Sequence, residues 1–253
     1  MLSYFRRERI KLIEQEKLKK YTFYAIGEIF LVMVGILLAL QVNNWNQNRL
    51  ERKQEVKLLH QIKADLESNS DEIESMLNKM EISKASADSL LEGFRTKEEI
   101  RGVALHTSLL HRRFFFTMAT SGYSQMSGSL GTLIQNSELR NSIAQLYEGD
   151  FRDIQKRQEM LSNHIDNNLS PQSNKLFVIK QRMEFKMPDF DEFSMDFYDP
   201  KNYEELVENS EYANTIIIQK KMYNIQTSQL NKTSEQLNKV LKLVKKEIKN
   251  LEA

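Results

Sequence analysis

Few side chains in this sequence are spaced for chemistry. The histidines are His60, His106, His111 and His164. His106 and His111 stand five apart, whereas two imidazoles that share a zinc ion from one helical face stand four apart. With no cysteine, thiolate nucleophiles, disulfides and cysteine-based zinc sites are excluded. No serine sits in a nucleophile elbow, and no carboxylate pair has a spacing that marks general acid–base work. The histidines read as surface or helix-packing residues. The expectation is a protein with no catalytic residue, no cofactor and no metal, hence not an enzyme.

Two stretches qualify that reading. Residues 121–131 hold three of the eight glycines, Gly122, Gly128 and Gly131. A phosphate-binding loop would continue into Lys-Ser/Thr, and a dinucleotide fingerprint would lie in a βαβ unit. Neither context is present, so a tight corner or close helix crossing is expected. Residues 184–200 mix Glu184, Asp189, Asp191, Glu192, Asp196 and Asp199 with five aromatics. Clustered carboxylates suit calcium, but the EF-hand order is missing. A long loop pinned by its aromatics is expected instead, with Asp199-Pro200 starting the next helix.

The most informative ionisable group is Glu28, alone in the apolar run 22–42. As a helix of 21 residues this run reaches about 31 Å, the thickness of a bilayer's hydrocarbon core. A charged group at that depth costs about 2.5–3.5 kcal/mol and usually marks function or a partner. Tyr21, Ala25, Glu28, Val32, Gly35, Ala39 and Val42 recur in steps of four and three. Gly35 and Ala39 form a small-xxx-small pair that allows close approach. Ala25, Glu28, Val32, Gly35 and Ala39 are therefore the expected helix–helix interface within the membrane, with Glu28 hydrogen-bonding across it. Tyr21 and Tyr24 at one boundary and Trp45 at the other suit the interfacial aromatic belts.

Orientation follows from charge. Residues 1–20 contain seven Lys or Arg, whereas 43–62 contain four. The positive-inside rule then leaves the N-terminus cytoplasmic. A cleaved signal peptide would have a shorter apolar core and a small-residue cleavage site, so an uncleaved signal anchor is expected. Residues 21–253 sum to −3 and lack a basic stripe interleaved with aromatics, which argues against nucleic acid as a partner.

The rest reads as helix. Leu59, Ile62, Leu66, Asn69, Ile73, Met76, Met80, Ser83, Ala87, Leu90 and Phe94 form a heptad stripe, with Asn69 and Ser83 its polar members. Asn43, Asn44, Asn46 and Asn48 mark the likeliest break between the span and this stem. Ile216, Tyr223, Leu230, Leu237, Val244 and Leu251 form a second stripe, with Leu241 and Ile248 beside it. A third helix covers Ser137–Leu169 and ends at Ser170-Pro171. Val103–Ala119, with Phe114, Phe115 and Phe116, reads as a shorter buried helix. The expected fold is all-α: a basic cytoplasmic leader (1–20), a transmembrane helix (21–42), a periplasmic stem helix (43–94) and the remainder of an extended antiparallel helical bundle with coiled-coil-like helices (95–253).

The run Tyr24-Ala-Ile-Gly-Glu-Ile, followed by Gly35-Ile-Leu, Ala39-Leu-Gln and Asn43-Asn-Trp-Asn, resembles an uncharacterised single-span family of Bacteroidota, domain of unknown function 6090. The region from Ile134 to Tyr147 is also similar, while Gln47 departs from the Glu of many relatives. The resemblance implies a Gram-negative inner membrane and a periplasmic C-terminal part, and brings no catalytic residues. The expected function is that of a non-catalytic interaction or accessory subunit. Its partners would be the lipid bilayer and either a second copy of the chain or another envelope protein. The alternative is a periplasmic sensor or ligand-binding module relaying through the stem.

Overall fold

The computed structural model describes residues 2–128, 130–187 and 190–252, with side chains for 22–23, 25–128, 130–180 and 196–252. It is predominantly helical, with one small two-stranded sheet. Helix α1 (Leu2–Thr96) carries both the apolar run and the stem. The asparagines at 43, 44, 46 and 48 do not end it. Two compact units divide at Glu55/Val56.

In the second unit α1 packs against α8 (Ser210–Glu252), running antiparallel to it. His60 meets Glu252 at 3.0 Å and Glu67 meets Lys245 at 2.9 Å, while further along the pair Asp88 meets Lys220. The third long element is α4 (Ser137–Gln145), a π-helical turn (Leu146–Asp150), α5 (Phe151–His164), a second π-turn (Ile165–Leu169) and α6 (Ser170–Leu176). Every member of the α1 stripe from Leu59 to Leu90 is buried, with Phe94 packed at its end. Ile216, Tyr223, Leu230, Leu237 and Val244 of α8 face the same core, as do Ile143, Tyr147, Phe151, Ile154, Leu161 and Ile165.

The π-turns have a sequence cause. Ile143, Tyr147 and Phe151 are spaced four and four, as are Leu161, Ile165 and Leu169. Successive steps of four drift around an α-helix, and a wider i→i+5 turn absorbs the drift and keeps all three on the core face. Pro171 does not end the helix as expected. It lies in the first turn of α6, and proline is well tolerated there. Three helix starts, those of α4, α7 and α8, are capped by asparagine. Asn136 accepts from Leu139 N (3.1 Å), Asn202 from Glu205 N (3.3 Å) and Asn209 from Tyr212 N (2.9 Å).

Two further expectations are corrected. Val103–Ala119 is not one helix: α2 (Val103–Leu110) covers only its first part, and residues 112–120 belong to no helix or strand. Phe114 and Phe116 are buried while Phe115 is 69 % exposed, an alternation of period two that a helix cannot produce. Residues 184–187 and 190–200 are not a loop. They lie in a hairpin of β1 (Phe177–Met187) and β2 (Phe190–Pro200), with Ile179 opposite Tyr198 and Phe185 opposite Phe193. The Phe193-x-Met195-x-Phe197 alternation fits a pleated ribbon. The next helix, α7 (Tyr203–Glu208), starts after the Asn202 cap rather than at Asp199-Pro200.

Candidate functional site

The apolar run of α1 is long and hydrophobic enough to cross a membrane, and none of its most apolar window is buried within the chain. Phe23, Ile29, Leu31, Leu38 and Val42 are each more than half exposed. A large aliphatic or aromatic side chain left in water forfeits roughly 1.5–3 kcal/mol, and a contiguous patch of this kind marks a surface meant for lipid or protein.

Of the seam residues, Ala25 is half-buried and Glu28, Val32, Gly35 and Ala39 are exposed. Apart from the helix's own backbone, no atom lies within 4 Å of where a Cβ on Gly35 would sit, so a neighbouring helix has open access there. Glu28 lines a shallow depression with Phe23, Gly27 and Leu31. Trp45 is exposed, with the Arg49 guanidinium 5.6 Å from its ring centroid. The side chains of Tyr21 and Tyr24 lie outside the described residues.

In the second unit, several buried polar side chains hold a segment that belongs to no helix or strand. Segment 112–120 threads among the long helices as a strap. Buried backbone polar groups need partners, and a lone extended segment has no sheet to provide them; side chains from three helices do so instead. Asn69 of α1 accepts from Ala119 N (2.7 Å) and donates to Ala119 O (3.0 Å). Gln158 of α5 accepts from Phe116 N at 2.9 Å. At the strap's start, Gln219 of α8 donates to Leu110 O (2.5 Å), Tyr223 donates to the same oxygen (3.2 Å), and Ser83 donates to Leu109 O (3.2 Å). Phe114 and Phe116 meet Tyr223 and Phe151 edge-on or tilted.

Replacing Gln158 with alanine would strand the Phe116 N–H in the core. The expected cost is roughly 2 kcal/mol, read as a lower urea midpoint for the full chain in detergent, with secondary structure unchanged before the transition.

The glycine-containing stretch is a close helix crossing. Helix α3 (Ser121–Ser127) lies against α1 where Gly122 has no side chain; a Cβ there would stand 2.6 Å from Ile62 N. The buried Asp65 carboxylate accepts from Ser121 Oγ (2.7 Å) and Gly122 N (2.6 Å). With both its oxygens engaged, Asp65 serves as a clamp. Next to it Tyr123 stacks on Tyr147 (4.3 Å, 2°) and donates to Glu148 at 2.6 Å.

The histidines are dispersed. His111 bonds the Thr107 carbonyl through Nδ1 (2.9 Å) and stacks on Tyr198 at 4.2 Å, and burial pushes its pKa down to about 4. Burial also lowers His106 and His164, the latter 3.3 Å from Thr215 O. Among the described residues no three His, Asp or Glu side chains converge as a metal site would require. Most of the 184–200 carboxylates considered for calcium lie outside the described side chains.

The strap and its amides escape a pattern-based reading, although they leave a signal. Asn69 and Ser83 interrupt an otherwise apolar stripe, and Gln158 and Gln219 stand at core positions of their helices. No curated protein and no solved structure matches the chain. The family of unknown function DUF6090 matches residues 28–220, from the glutamate of the apolar span through the strap and into α8, and the chain belongs to that family.

Proposed function

We propose that this is a single-pass protein of a Gram-negative inner membrane, with its N-terminus cytoplasmic and its bundle periplasmic. In this reading it is a non-catalytic accessory or interaction subunit. One observation carries the proposal: the apolar run of α1 is bare along its length and holds a lone ionisable group beside a Gly35-x-x-x-Ala39 seam. Lipid covers most of that surface. The seam, where small residues let backbones approach, takes a second helix. Glu28 gains most from a partner that supplies a hydrogen bond within the bilayer. The N-terminal excess of Lys and Arg supports the orientation.

The natural absence of cysteine makes topology directly testable. Single cysteines at Ser3 and Asn250 should react with a membrane-impermeant maleimide only at Asn250 in intact spheroplasts. Labelling at Ser3 alone would reverse the orientation. For the seam, Gly35→Leu should lower recovery of the co-purifying subunit or second copy at least tenfold while the bundle's helical signal is unchanged. Equal recovery from wild type, Gly35→Leu and Glu28→Leu would remove the seam from the function.

A further inference from the structure

The β1–β2 ribbon plays no part in the reading above. At its base one side faces the helices. Phe177 and Tyr198 are buried there, with Tyr198 stacked on His111 and Phe177 set against Tyr198 and Tyr212. Residues one position along a strand lie on the opposite side. On that side Val178 is exposed, and Lys180 forms an ion pair with Asp199.

Register carries this outward side along the ribbon. Phe197 lies opposite Lys180, Met195 opposite Met183, Phe193 opposite Phe185 and Phe190 opposite Met187. Residues directly opposite share a face, and Phe197, Met195 and Phe193 alternate along β2. Two irregularities decide the outcome. Between Lys180 and Met183, β1 has one residue more than β2; between Phe193 and Phe190, β2 has one more than β1. By parity alone Met183, Phe185 and Met187 would join Phe177 on the side that faces the helices. The first bulge moves them to the other side, and the second brings Phe190 to the face of Phe193, as bulges do when they re-aim residues. Three successive rungs of methionine and phenylalanine thus share the outward face.

We infer that this face is an interface between two copies of the chain, packed ribbon on ribbon. A lone two-stranded ribbon is marginal in water and needs a layer over its apolar face. The same face of a second copy fits in three ways. The charges at its base, Lys180 and Asp199, neutralise each other, so like can meet like. Three phenylalanines at roughly 150 Å² each, with three methionines beside them, bring the face to about 800 Å², the share of each partner in a standard interface. The rungs are also self-complementary under a two-fold axis. An axis through the Phe185/Phe193 rung sets the Met183/Met195 rung of one copy over the Met187/Phe190 rung of the other, and thioethers pair well with aromatic rings. The inference goes beyond the seam of α1 and does not depend on it.

The test uses the full chain in membranes, with a single cysteine placed on one side of the ribbon or the other: Phe193→Cys outward, Ser194→Cys on the opposite face. Facing sheets lie about 10 Å apart, within reach of a bismaleimide with a two-carbon spacer. That reagent should join two copies through Phe193→Cys at least five times more than through Ser194→Cys. Adding Phe185→Ser should lower the Phe193→Cys product at least fivefold with the helical signal unchanged. Equal products at the two positions, or no product at Phe193→Cys, would overturn the inference. Adding Gly35→Leu should leave the product in place; its loss would assign the pairing to the seam and overturn the ribbon interface. A dye at Phe193→Cys quenched by brominated phospholipid, with no cross-linked product, would make lipid the occupant instead.

Discussion

Replacing Gly122 with alanine is expected to destabilise the bundle by about 3 kcal/mol or more. The added Cβ would stand 2.6 Å from Ile62 N and 2.9 Å from both Gln61 C and Ile62 Cα. These are backbone atoms of α1, so no rotamer change relieves the contact. Helix α3 must move away, as overpacked sites generally force. The movement also lengthens the bonds from Asp65 to Gly122 N and Ser121 Oγ. Thermal unfolding of the full chain, followed by circular dichroism, should show a fall of roughly 6–12 °C for a unit of this size. Gly128→Ala provides the comparison: its nearest contact would be Ser124 O at 3.2 Å, and its effect should be below about 1 kcal/mol. Equal melting temperatures for Gly122→Ala and wild type would show that α3 does not need its close seat on α1.

Acidification should have an effect of similar size through His111. Burial sets its native pKa at about 4, against 6.5 for the free side chain. Between those values the unfolded chain binds a proton that the native state refuses, so stability rises with pH. The contribution is fully present above about pH 6.5, shrinks as pH falls through the window, and is lost by about pH 4. The total is about 3 kcal/mol. The groups around the ring are the Thr107 carbonyl, the Tyr198 face, Asp196 and Arg113. Half-buried His106 and buried His164 act in the same direction. Urea titrations at pH 7, 5.5 and 4.5 should show the midpoint falling, and His111→Phe should flatten that fall whatever its midpoint at pH 7. An unchanged slope in the variant would place the acid sensitivity elsewhere.

Much of the architecture was legible in the sequence because helices bury residues at fixed intervals. The stripe from Leu59 to Leu90 and the apolar run around Glu28 both depend only on local order, so the sequence displays them directly. The strap is hidden from the sequence for a physical reason. Phe114, Phe115 and Phe116 are apolar together, so composition resembles a buried helix, while the in–out alternation depends on neighbours far along the chain. The hairpin is hidden similarly, because its alternating aromatic and acidic residues resemble an acidic cluster unless their parity is followed. The four-four spacings at Tyr147 and Ile165 read in the sequence only as one helical face, and the structure shows that they mark the π-turns. Candidate seam residues could be named because hydropathy and small-residue spacing are properties of one helix, whereas the contacts of Gln219 and Tyr223 with Leu110 need α8 folded back on α1.

The amides that hold the strap have a further consequence, for alignment. Helices bearing uniform apolar heptads can slide past one another by seven residues and bury nearly the same surface, and a single polar core position can forbid such a shift. Moving α1 by one heptad would bring Ile62 or Met76 to the place of Asn69, leaving both backbone groups of Ala119 without a partner. A shift of α5 would bring Phe151 or Ile165 opposite the Phe116 N–H. Each stranded group costs about 1–3 kcal/mol, so a slipped arrangement pays several times over for contacts that apolar packing alone would treat as equivalent. The strap thus acts as a key that only one arrangement of the three long helices accepts.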